Sequence, residues 1–137
     1  MIYYAVIDTN VIVSALLTKN DASPTVKVFE AVFDGRIVPL YHREVLEEYA
    51  DVLCRDKFHF AKPAIQQLLA AIVKFGEEII PQPTGEILAD MDDLIFYEIV
   101  MTKQEYHAYL VTGNQKHYPD RPFIVTPAEM IAILEKG

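Results

Sequence analysis

A chain of 137 residues, 52% of them hydrophobic, is too apolar for a disordered protein and reads as one domain over residues 1–137. Twenty acidic against twelve basic residues leave a net charge of −8. That argues against a protein held to nucleic acid by a general basic field, but not against a nucleic-acid enzyme whose carboxylates are neutralised by bound cations.

The start of the chain lacks the basic segment and long apolar run of a signal peptide, and no stretch approaches the roughly 18 apolar residues of a membrane span. A cytoplasmic protein without a membrane partner is expected. Tyr3-Tyr4-Ala5-Val6-Ile7 is rich in β-branched and aromatic residues and predicts a buried strand. It runs directly into Asp8-Thr9-Asn10, with Ser14 on the short helix predicted over Val11–Leu17. Asp8 and Thr9 are good helix caps, but they also stand at the carboxyl end of a strand, where open α/β sheets build their sites.

Ser23-Pro24 starts a helix that Gly35 stops. Arg36–Tyr41 reads as a strand, which Pro39 should push to an edge or an end. His42–Arg55 is a helix with Val45, Tyr49, Val52 and Leu53 on one apolar face. Cys54, the single cysteine, excludes an intramolecular disulfide and reads as a buried structural thiol on this helix. After a loop over Lys57–Lys62, Pro63 opens another helix, and Glu78-Ile79-Ile80 forms a short strand. Met91 to about Gln104 is helical, Tyr109–Thr112 is a strand, and Gly113-Asn114 turns the chain through residues that tolerate positive φ. Phe123–Val125 is the last strand, and Pro127 opens a terminal helix. This alternation predicts an α/β fold: a three-layer α/β/α sandwich around a short, mostly parallel sheet of about four or five strands.

Polar clusters recur at corresponding ends of these elements. Glu44, Glu48 and Asp51 form an acidic stripe at i, i+4 and i+7 of the third helix, with Glu47 apart from it. Glu48 borders the core-facing side and can point into a cleft; the others read as a solvated face. Asp90-Met91-Asp92-Asp93 carries more negative charge than a first helical turn needs. Asp93 should project near the buried face, with Asp92 competing for the role. Thr112-Gly113-Asn114 ends a central strand, as Asp8 does. Gathered at one sheet edge, Asp8, Glu48 and Asp93 require protons or a metal to neutralise them. Oxygen ligands suit Mg²⁺ or Mn²⁺, and such ions orient a water and stabilise the leaving oxygen of a phosphodiester. Hydrolysis of a nucleic-acid backbone follows. A phosphoryl-transfer enzyme with Asp8 as nucleophile is disfavoured, because Asn10 stands where haloacid-dehalogenase-like enzymes carry a second aspartate and no P-loop is present.

Asp8-Thr9-Asn10 with Ser14, the helix carrying Glu48, Asp92-Asp93, and Val111-Thr112-Gly113-Asn114, in this order, resemble the PIN domain. More narrowly, the chain is similar to the branch described as toxin components of toxin–antitoxin systems. The resemblance runs from Ile2 to Ile124-Val125-Thr126-Pro127. It implies a PIN-like fold and a Mg²⁺- or Mn²⁺-dependent endoribonuclease acting on RNA, a homodimer, and a cognate antitoxin protein as partner. By matching positions, Asp8, Glu48 and Asp93 are the implied catalytic, metal-binding acids, with Glu44 or Glu47 as alternatives to Glu48 and Asp92 to Asp93. Asn10, Ser14 and Thr112 are the implied polar supports. Many PIN domains carry aspartate where this chain has Asn114, whose carbonyl can still ligate but brings no charge. The site then holds one metal, with a second bound weakly or only with substrate, and a catalytically reduced RNA- or protein-binding module is the alternative. For RNA phosphates the candidates are Arg55, Lys57, His59 and Lys62 after the acidic helix, and Lys116 with His117. Tyr3, Tyr4, Tyr97 and Tyr109 read as core or dimer residues.

Overall fold

The computed structural model describes residues 1–137. The first strand, β1 (Tyr3–Ile7), is followed by helices α1 (Thr9–Leu17) and α2 (Pro24–Phe33). Strand β2 (Ile37–Tyr41), helices α3 (Arg43–Leu53) and α4 (Lys62–Phe75), and strand β3 (Glu77–Glu78) come next. Helix α5 (Leu94–Thr102), strands β4 (Tyr109–Val111) and β5 (Ile124–Val125), and helix α6 (Pro127–Lys136) complete the chain. Single 3₁₀ turns cover Asp56–Phe58, Met91–Asp93, Gln104–Tyr106 and Gln115–His117. No helix is long and apolar enough to cross a membrane.

The five strands are all parallel, in the order β3-β2-β1-β4-β5. From β1 the chain steps outward through β2 to β3, then returns to the other side of β1 for β4 and β5. Right-handed crossovers put α1–α4 on one face of such a sheet and the return helix α5 on the other. In keeping with this, α2 packs against α1, α4 and α6, whereas α5 packs against β1, β2 and β4. Helix α5 buries Phe96, Tyr97, Ile99 and Val100, so it is covered nearly all round. Ala5, Val6 and Ile7 of β1 are buried between the two layers.

Several sequence expectations are corrected here. Pro39 does not send β2 to an edge; β2 lies between β1 and β3. The proline is tolerated because β3 pairs only with Leu40 and Tyr41, starting one residue beyond it. Strand β3 is Glu77–Glu78 rather than Glu78–Ile80, and Ile80 is exposed. The long helix expected from Met91 is a 3₁₀ turn, α5 and a second 3₁₀ turn. Cys54 is exposed, not buried, because α3 ends at Leu53 and the cysteine caps it from outside.

Gly76 joins α4 to β3 at a close crossing. A Cβ there would run into the backbone carbonyls of Ile72 and Pro39, which have little freedom to yield. Gly76→Ala is therefore expected to destabilise the fold by about 1–3 kcal/mol through overpacking, read as a lower urea midpoint at unchanged slope.

Candidate active site

Strands β1 and β4 pair up to Ile7 opposite Val111, so the next residues, Asp8 and Thr112, leave the sheet side by side. This is where strand order reverses, the position at which open parallel sheets present a crevice. Asp8 occupies the N-cap position of α1, but its side chain makes no capping bond. Its Oδ2 instead accepts hydrogen bonds from Thr112 Oγ1 at 2.8 Å and Tyr118 Oη at 2.9 Å. Asp8 is only 5% exposed, and two donors on one oxygen offset the desolvation of its charge.

Asn10, in the first turn of α1, clamps the loop after β4. Its Oδ1 accepts from the Gly113 N–H at 2.9 Å, and its Nδ2 donates to Thr112 Oγ1 at 3.4 Å. Thr112 Oγ1 also accepts from the Asn114 N–H at 3.0 Å. Gly113 and Asn114 do not use positive φ, contrary to the turn expected there. Glycine serves closeness instead, since a Cβ would press on Asn10 Oδ1 at 3.2 Å.

Helix α3 is held over this end of the sheet by the Tyr49 hydroxyl, which donates to the Ile7 carbonyl. The next side chain back, Glu48, accepts a hydrogen bond on Oε2 from the Thr9 hydroxyl. Thr9 thus holds Glu48 rather than capping the helix. The other acids of the helix face outward: Glu44 lies near His42, Glu47 pairs with Arg43 at 3.7 Å, and Asp51 pairs with Arg55 at 3.9 Å. At the entry to α5 the three aspartates divide their work. Asp90 caps the 3₁₀ turn by accepting from the Asp92 N–H at 3.0 Å, Asp92 is exposed, and Asp93 Oδ2 lies 3.3 Å from His117 Nδ1.

Asp8, Glu48, Asp93, Asn114 and His117 line one cleft of about 370 Å³, with Phe58 on its wall. In each acid one oxygen is engaged by the protein while the other, Asp8 Oδ1, Glu48 Oε1 or Asp93 Oδ1, has no protein partner. No buried polar side-chain atom lacks a partner, so these three oxygens are reached by solvent. Burial raises the Glu48 carboxyl above its usual range, and the charges of Asp8, Asp93 and Asp92 add to this against the Thr9 hydrogen bond. Burial likewise raises Asp93, helped by Asp8 and Asp90 and opposed by His117.

An all-oxygen donor set with unengaged carboxylate oxygens fits a hard divalent cation. No three acidic, histidine or cysteine side chains are grouped closely enough to hold one ion as a ready-made cage. Mg²⁺ seldom uses such a cage, keeping several waters and taking one or two carboxylates.

The remaining sequence candidates lie elsewhere. Ser14 is exposed on α1 and does not line the cleft. Lys116 points into a separate pocket beside Asp120 and Arg121. Arg55 and Lys62 line a neighbouring pocket with His59, and Lys57 lies against Phe58. Tyr3 and Tyr109 pack together at the opposite end of the strands, while Tyr97 is buried in α5. Tyr118 was not anticipated as a partner of Asp8. Only its position four residues after Asn114 could have drawn notice to it.

The raised carboxyls have a consequence for stability. Between the ordinary glutamate value and the raised native one, the folded protein holds more protons than the unfolded chain, so stability falls as pH rises through that window. Without metal at neutral pH, Glu48→Gln should relieve this and raise the melting temperature by roughly 1–3 °C, allowing for solvent screening of a half-exposed group. Calorimetry in EDTA at acid and neutral pH checks it, with the gain shrinking at the acid end.

The profile of the PIN domain family matches residues 4–116. No curated protein matches the chain. The crystal structure of PAE2754 from Pyrobaculum aerophilum is similar at a TM-score of 0.59 and 11% identity, covering 99% of this chain and 91% of that one. At that identity the likeness concerns the fold. The matched span contains Asp8, Glu48, Asp93 and Asn114, and over most of its length the chain belongs to the PIN domain family.

Proposed function

We propose that the protein is a Mg²⁺- or Mn²⁺-dependent endoribonuclease that hydrolyses RNA phosphodiester bonds. PIN domains are generally nucleases, which supports the reaction class. The observation that carries the reading is the set of three acids lining one cleft, each with one oxygen tied to the protein and one without a protein partner. Asp8, Glu48 and Asp93 would hold the cation, with the Asn114 carbonyl as a neutral fourth donor. When bound, such an ion neutralises the phosphate, makes water a better nucleophile and stabilises the leaving oxygen.

The chain's own residues supply orientation. Thr112 and Tyr118 hold Oδ2 of Asp8, which turns Oδ1 outward, and Thr9 and His117 do the same for Glu48 and Asp93. Asn10 fixes the loop that carries Thr112 and Asn114. Orientation of this kind is what a metal site needs from the groups behind its ligands.

The reading extends to the toxin of a toxin–antitoxin pair in the cytoplasm, with a cognate antitoxin protein and a homodimer as partners; this part rests on the sequence resemblance. A second reading, a catalytically reduced RNA- or protein-binding module, is favoured by Asn114, which lines the cleft without charge. Calorimetric titration separates the two: Mn²⁺ binding that is lost in Asp8→Asn supports the nuclease, and no binding at millimolar metal favours the module.

Asp8→Asn is expected to lower cleavage of single-stranded RNA in Mg²⁺ or Mn²⁺ by on the order of a thousandfold, the loss of several kcal/mol of charge stabilisation. Cleavage that survives both this substitution and EDTA sinks the proposal. Induced expression of the wild type should arrest growth where Asp8→Asn does not, which tests the toxin role separately.

A further inference from the structure

Between the C-terminus of α3 and the start of α4, the local charge reverses. Residues 55–62 contain Arg55, Lys57, His59 and Lys62 against a single acid, Asp56, in a chain of net charge −8. Within this segment the rings of Phe58 and Phe60 are stacked, with centroids 5.4 Å apart and planes 8° from parallel. The turn that brings them together holds His59 in the left-handed region at φ 57, a conformation a non-glycine residue adopts at a cost. Phe60 packs on the hydrophobic core, whereas Phe58 is not among the side chains packed against it.

The pair stands between two concavities. Phe58 lines the acidic cleft beside Asp8 and Glu48, and Phe60 lines a second pocket with Arg55, Asp56, His59 and Lys62. Lys57, an exposed side chain, places its Nζ over the Phe58 ring at 5.0 Å from the centre. A ring anchored from behind by a second ring, facing a site of phosphodiester chemistry and flanked by cations, has the parts of a stacking platform for a nucleobase. Phe58 is only partly buried.

Resting on the nuclease reading above, we propose that the Phe58–Phe60 stack is a base-binding platform that selects single-stranded RNA, and that the Arg55–His59–Lys62 pocket takes the phosphate beside the stacked base. Paired bases are already stacked on their neighbours, so a duplex cannot use the platform. Lys62 and Arg55 supply local positive charge, with the Arg55 guanidinium shared with Asp51 at 3.9 Å.

The test is fluorescence anisotropy with a short labelled single-stranded RNA and a duplex of the same sequence, in Mg²⁺ and in the Asp8→Asn background. Phe58→Ala should weaken single-strand binding about tenfold, the loss expected for one stacked base, and leave duplex binding unchanged. Phe58→Leu keeps the apolar bulk without the aromatic face and should lose as much, while Phe58→Trp should bind like its parent. Arg55→Gln and Lys62→Gln should flatten the dependence of log affinity on log salt by about 0.7 for each phosphate contact removed. If Phe58→Leu binds single strands as its parent does while wild-type protein cleaves RNA, the platform is overturned and the nuclease stands. If neither wild type nor Asp8→Asn binds or cleaves RNA, the nuclease reading falls and the platform with it.

Discussion

The hydrogen bond from Thr112 to Asp8 joins the two central strands just beyond their last ladder pair, at 2.8 Å. A nearly buried carboxylate is costly unless donors surround it, and here the donors come from the strand on the far side of the topological reversal and from Tyr118 beyond it. The strand order β3-β2-β1-β4-β5 is what makes those donors neighbours. The same contact fixes the loop after β4, because Thr112 Oγ1 also receives the Asn114 N–H and the Asn10 amide. Remove the carboxylate and Thr112 and Tyr118 lose their common acceptor.

Around that contact the protein accumulates charge that works against its own folding. Burial and mutual repulsion raise the carboxyls of Glu48 and Asp93, which is the sign of a group less comfortable ionised in the native state than in water. A structure built for stability would pair or space such acids, as it does with Glu47 and Asp51 on the outer face of α3. Local rules broken together at one place mark a site rather than a scaffold. The cationic side chains of the turn between α3 and α4 line a different pocket from the three acids.

Much of the scaffold was legible in the residues. The apolar run of β1, the one-sided periodicity of α3 and the proline starts of α2, α4 and α6 are short-range signals, and the elements appear where they predict. Glu48 is preferred over Glu44 and Glu47 for its place beside the apolar face, and Asp93 over Asp92 for its projection near the buried face. The structure turns Glu48 and Asp93 into the cleft and leaves Glu44, Glu47 and Asp92 exposed. Pro39 and Cys54 depart from their local signals because each depends on something not local: where a neighbouring strand begins, and at which residue a helix stops.

The alternation of strands and helices, and the polar tails that follow β1 and β4, were dictated along the chain by periodicity and side-chain type, which act over a few residues. Which oxygen of Asp8 is held and which is free, that Thr9 serves Glu48 across 39 residues, and that Tyr118 reaches Asp8 across 110 were settled by the fold. Hydrogen-bond partners are chosen by proximity in space, and proximity between distant segments follows from strand order, which no local preference encodes.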